Sequence, residues 1–75
     1  MYNRFQIIGL NVKKYRKLKH LSQIDLAIAI GIDRSYISEI ENGHTNFSVG
    51  ILLALADFFE IEINDLFDEN IAENK

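Results

Sequence analysis

The tightest constraint on this chain lies between Ser22 and Gly43, where two short helical patterns are separated by only Gly31-Ile32-Asp33. Ser22 is an N-cap residue, and Asp25 three positions on makes a pattern like a capping box, with Asp where Glu or Gln is usual. Leu26, Ala27 and Ile30 follow at helical spacing, and Gly31 ends the run in the left-handed conformation that helix C-termini favour. Asp33 is a second N-cap. Tyr36, Ile37 and Ile40 carry the next helix from Arg34 to about Asn42, and Gly43 closes it. A three-residue link containing Gly makes two helices cross steeply. Ala27 is small where they approach, and Ile32 can point inward to plug the corner. An ordinary corner between helices satisfies this geometry as well as a specialised motif does.

The rest of the chain is helical too. Phe5, Ile8, Val12 and Tyr15 recur at three- and four-residue intervals, predicting a helix over about Asn3 to Lys19 with these four on its core face. After the polar loop His44-Thr45-Asn46, Ser48 caps a helix from Val49 to about Phe59, and a short fifth helix opens at Asn64 with Asp65-Leu66-Phe67. Strand signals are limited to Ile61-Glu62-Ile63, too short for a sheet. The expectation is one all-α domain over residues 1–75, with an acidic tail at 68–75.

A chain of 75 residues buries a small core, so support from a metal, disulfides or a second subunit is common at this size. With no cysteine, and with His20 and His44 far apart and lacking ligand partners, a second subunit is the remaining support. The longest apolar run, Ile51 to Ala56, is far below the roughly 20 residues of a membrane span. The N-terminus has no signal-peptide pattern, so a cytoplasmic location is expected and no membrane partner.

The net charge of −3 conceals a division: residues 1–38 carry +5 and residues 39–75 carry −8. That asymmetry suits a molecule presenting one face to phosphates and holding the other away, although uneven solubilising charge gives the same numbers.

The residue types decide between the readings of the corner. Leu21-Ser22-Gln23, Leu26-Ala27, Gly31-Ile32, Asp33-Arg34-Ser35-Tyr36-Ile37-Ser38 and Glu41-Asn42-Gly43 together resemble the Cro/phage-repressor class of helix-turn-helix DNA-binding regulators. The likeness extends from Gly9 through Leu66-Phe67, placing the domain at about 9–67 and its motif at 23–42. It implies a compact five-helix, lambda-repressor-like fold whose third helix enters the major groove of double-stranded DNA. Asp33-Arg34-Ser35-Tyr36-Ile37, with Asn46 and Ser48 and no proline between, is further similar to restriction-modification controller proteins, small dimeric autoregulators. Single-domain phage-type repressors share most of that pattern.

On this resemblance Arg34, Ser35, Ser38 and Glu39 face the bases. Arg34 suits guanine O6 and N7, and Glu39 can accept from cytosine N4 or instead orient Arg34. Ser22, Gln23, Tyr36, Asn42, Thr45 and Asn46 are the expected phosphate contacts, with His44 nearby. The resemblance also implies an ion pair between Arg16 and Glu41 that fixes the third helix against the first. Relatives often carry Gly where this chain has His20, at a position with positive φ.

Helix four carries two apolar stripes, Leu52-Ala56-Phe59 and Ile51-Ala54-Leu55-Phe58, and burial on one side hides only one. The second stripe, with Phe67 or Ile71, is therefore the expected interface of a two-fold homodimer, which would set two recognition helices ~34 Å apart on a near-palindrome. Two other functions fit the sequence: the antitoxin of a toxin–antitoxin pair, with the acidic half gripping the toxin, and a protein-interaction adaptor that does not bind DNA. An enzyme is not expected, because no nucleophile–base pair, metal-ligand cluster or phosphate loop is recognisable, and Glu60, Glu62, Asp65, Asp68 and Glu69 read as solvated surface. Nor is any cofactor, metal or small-molecule ligand.

Overall fold

A computed structural model describes residues 2–70. In chain order it contains α1 (Arg4–Leu18), α2 (Gln23–Ile30), α3 (Arg34–Glu41), α4 (Val49–Phe59) and a 3-10 helix, η1 (Ile63–Phe67). Four α-helices and no strand occur among the described residues. The element expected as a fifth helix is this tighter five-residue turn. Ile71 and the end of the acidic tail lie outside the described residues.

The helix starts follow local chemistry. Asn3 and Gln6 exchange hydrogen bonds of 2.8 and 2.9 Å to open α1. Ser22 and Asp25 do the same at 3.0 Å in both directions to open α2. The Ser48 hydroxyl accepts from the Ile51 amide at the start of α4. Asp33 differs from expectation: its backbone takes the N-cap conformation, but its carboxylate makes no capping bond.

All four α-helices end in the same way. The amides of Leu21, Ile32, His44 and Ile61 donate back to the carbonyls of Arg16, Ala27, Glu39 and Ala56. This closure needs a left-handed residue just before each donor. Gly31 and Gly43 supply it at φ of 87° and 72°, while His20 and Glu60 adopt φ near 60° despite their side chains.

Ile8, Val12, Leu26, Ala27, Ile37, Ile40, Leu52, Leu55, Ala56, Phe59 and Leu66 form one core shared by all five elements. Each fully buried large side chain among them contributes about 1.5–3 kcal/mol. Two expectations need correction. Phe5 is 41% exposed, not a core residue; it packs edge-on against Phe47, with ring centroids 5.7 Å apart. Leu55 is completely buried, so it cannot line a subunit interface. The core embraces α4 more widely than one stripe: Leu52, Leu55, Ala56 and Phe59 all belong to it, together with Leu66 of η1. Ile51 and Phe58 are half-buried against the same core, and Ala54 is half-buried. The exposed apolar positions on α4 are Val49, at 65%, and Leu53, at 47%.

Asn11 pins η1 in place. Its fully buried side-chain Nδ2 donates toward the carbonyls of Ile7, Leu66 and Asp68, at 3.1, 2.9 and 3.0 Å. Three facing carbonyls fix the amide orientation, because the reversed amide would set oxygen against oxygen. No described helix is long and apolar enough to cross a membrane.

Candidate nucleic-acid interface

α3 is strongly two-faced. Ile37, Ile40 and Glu41 are buried, whereas Arg34, Ser35 and Glu39 are exposed and Ser38 is half-buried. The four residues expected to read bases thus share the solvent side of one helix, with Arg34 and Ser35 in its first turn.

Two contacts with α1 set the position of α3. The Arg16 guanidinium grips the Glu41 carboxylate through Nε–Oε2 at 2.6 Å and Nη2–Oε1 at 3.0 Å. Both side chains are buried, and Arg16 Nη1 also donates to the Leu21 carbonyl at 2.8 Å. About two turns earlier, α1 passes so close to α3 that a Cβ on Gly9 would lie 2.2 Å from the Ile40 carbonyl oxygen and 2.8 Å from that of Glu41. Sequence reasoning missed Gly9 as a contact point, since a lone glycine on a helix reads as a weak spot rather than as a crossing.

The expected phosphate contacts divide by environment. Asn42 and Asn46 are exposed and Thr45 is half-buried, in and beside the loop after α3. The Tyr36 ring packs against the core while its hydroxyl makes a long 3.5 Å contact to the Asn46 carbonyl, and the Thr45 hydroxyl donates to that carbonyl at 3.2 Å. The Ser22 hydroxyl is engaged as the cap of α2. Gln23 is half-buried, and its Nε2 donates to Glu41 Oε1 at 3.1 Å. His44 is exposed.

Electrostatically, charges from the two halves of the chain meet beside Tyr15. The Lys14 ammonium sits 5.0 Å from the centre of the Tyr15 ring, and burial together with the charges of Asp65 and Asp68 raises the Tyr15 pKa above its ordinary value. Lys14 of α1, Asp65 of η1 and Asp68 just after it therefore surround one residue. Asp25 is held below the usual carboxylate range by its hydrogen bonds to Ser22. Among the described residues no group of His, Asp or Glu is arranged to hold a metal ion.

Comparison with known proteins agrees with this arrangement. A family model described as helix-turn-helix matches residues 12–66. The chain is 43% identical over 63 residues to the HTH-type transcriptional regulator SlrR of Bacillus subtilis, a match covering 83% of this chain and 41% of SlrR. It therefore spans less than half the length of that relative. The crystal structure of the restriction-modification controller protein C.AhdI from Aeromonas hydrophila is similar with a TM-score of 0.81 and 38% identity, covering 88% of this chain and 100% of that one. The biofilm master regulator SinR, solved in complex with DNA, is similar with a TM-score of 0.74 and 37% identity, covering 81% of this chain and 98% of that one.

Proposed function

The chain belongs to the helix-turn-helix family whose model spans residues 12–66, and on that premise we propose that it is a sequence-specific transcriptional regulator binding a near-palindromic operator as a homodimer. The observation that carries the reading is α3 itself: a polar edge of Arg34, Ser35, Ser38 and Glu39 turned outward on a helix whose other side is locked to α1 by Arg16, Glu41 and Gly9. A reading helix must be held rigidly while its first turn enters the major groove.

In this reading Arg34 makes the principal base contact, bidentate to guanine, with Ser35, Ser38 and Glu39 completing the pattern. Gln23, Asn42, Thr45, Asn46 and the Tyr36 hydroxyl hold phosphates, which position the protein without reporting sequence. The homodimer forms through the outward side of α4, where exposed Leu53 and half-buried Ala54 lie either side of the midline, exposed Val49 flanks one edge and half-buried Ile51 and Phe58 the other; Phe67 of η1 is a further exposed apolar residue. Likeness to C.AhdI over that protein's whole length favours a controller-protein role.

Selection of bound sites from random duplex DNA by the purified chain tests the reading. Related half-sites about one helical turn apart, ~34 Å, are expected. Arg34→Ala should then weaken binding to the selected site by about 1–3 kcal/mol and relax one base position. Failure to enrich any motif at low salt would refute a sequence-specific regulator.

A further inference from the structure

Gln23 opens α2, Glu41 ends α3 and Arg16 comes from α1, and the three side chains meet at one carboxylate. Glu41 Oε1 accepts from both Arg16 Nη2, at 3.0 Å, and Gln23 Nε2, at 3.1 Å. We propose that Glu41 is a positioning residue for DNA-backbone binding, orienting the Gln23 amide so that its second N–H is presented to a phosphate; this rests on the reading of Gln23 as a phosphate contact.

A carboxylate accepts hydrogen bonds and donates none, so Glu41 selects the Gln23 amide rotamer with NH2 toward it. The reversed rotamer would set the Gln23 carbonyl oxygen against the Glu41 carboxylate, two acceptors facing each other, so the amide is held in one orientation. One Nε2 hydrogen is used inside, and the other diverges from it in the amide plane. Gln23 is half-buried, which suits a group anchored at one end and open at the other.

The surroundings favour an anion there. Ser22 satisfies the Asp25 amide, and the Gln23 and Ile24 amides at the start of α2 have no partner among the described residues. Unsatisfied amides at a helix N-terminus attract negative charge. A bare carboxylate nearby would oppose this, but the two-point grip of Arg16 neutralises Glu41 while leaving an acceptor for Gln23. The same carboxylate therefore holds α3 on α1 and aims a donor on α2, keeping the phosphate contact and the reading helix in register.

A coupling measurement separates this idea from the reading beneath it. The probe is a duplex selected from random sequence by the wild-type chain, with affinity read by fluorescence anisotropy at fixed salt. Gln23→Ala in the wild-type background should weaken binding about tenfold, the value of one hydrogen bond to a charged group. It should do so equally on the selected duplex and on single-base variants of it. The same substitution should change affinity less than about twofold in an Arg16→Met/Glu41→Leu background, whose apolar pair leaves no buried charge unpaired. Equal losses in both backgrounds would overturn the positioning role and leave the phosphate contact standing. No loss in the wild-type background would overturn both.

Should circular dichroism show that the paired variant does not fold, the wild-type chain supplies the second measurement. One of the two Gln23 Nε2 protons should exchange slowly with solvent in the free protein, and the other should slow only when duplex is added. Equally rapid exchange of both protons in the free protein would sink the proposal.

Discussion

Arg16 and Glu41, 25 positions apart in sequence, form a two-point ion pair in which the carboxylate is almost completely enclosed. Burying two charges is costly, and their mutual attraction repays it only with good geometry and further hydrogen bonds. Here Leu21 and Gln23 supply those bonds.

Removing one partner should accordingly be worse than removing both. Glu41→Ala or Arg16→Ala is expected to lower unfolding stability by about 3–5 kcal/mol, because each leaves a buried charge uncompensated. Arg16→Met/Glu41→Leu should recover most of that loss. Urea unfolding of the three variants checks the order, and a double variant no more stable than the singles would contradict it.

Gly9 and Gly50 predict opposite outcomes for one substitution. Gly9→Ala drives a methyl into the backbone of α3, which cannot swing aside as a side chain can, so a loss of about 3 kcal/mol is expected together with weaker DNA binding. At Gly50 the nearest atom to a new methyl is the Ser48 hydroxyl oxygen, 3.5 Å away, and the site is exposed on α4. Gly50→Ala should therefore stabilise by about 0.5–1 kcal/mol. Thermal unfolding of both variants compares the signs directly.

His20 and Glu60 occupy left-handed positions that glycine fills at the other two helix ends. A side chain in that conformation costs about 1–2 kcal/mol, of which the greater freedom of an unfolded glycine returns a part. Both residues are exposed, and neither side chain makes a hydrogen bond or ion pair among the described residues. His20→Gly and Glu60→Gly should each raise stability by roughly 0.5–1 kcal/mol. A lower melting temperature for either would show that its side chain makes a stabilising contact.

What could be read from sequence and what could not divide by distance along the chain. Ser22 with Asp25, Gly31 and Ser48 were legible because caps and helix ends are decided within a few residues. The outward edge of α3 was legible because Ile37 and Ile40 fix its inner side. Leu55 was misread because the buried width of α4 is set by a core drawn from every element, including Leu66 of η1, whose carbonyl Asn11 holds from 55 positions away. Gly9 meets α3 across 31 positions and leaves no local periodicity to announce it. The Arg16–Glu41 pair was reachable only through resemblance, and nothing local indicated that Gln23 would join it.

The burial pattern of α4 gives the proposed dimer a sharp test. Leu53 is 47% exposed and Leu55 is fully buried two positions later, so the two residues report on different things. Leu53→Asp places a charge on the outer side of α4 without disturbing the core. It should leave the helical circular dichroism intact while shifting sedimentation from dimer to monomer, and it should weaken binding to a two-half-site duplex far more than to a single half-site. Leu55→Ala opens a cavity beneath the same helix and should lower stability by about 2–5 kcal/mol, with association reduced only as far as the fold is lost. A folded Leu53→Asp chain that still sediments as a dimer would move the interface off this side of α4.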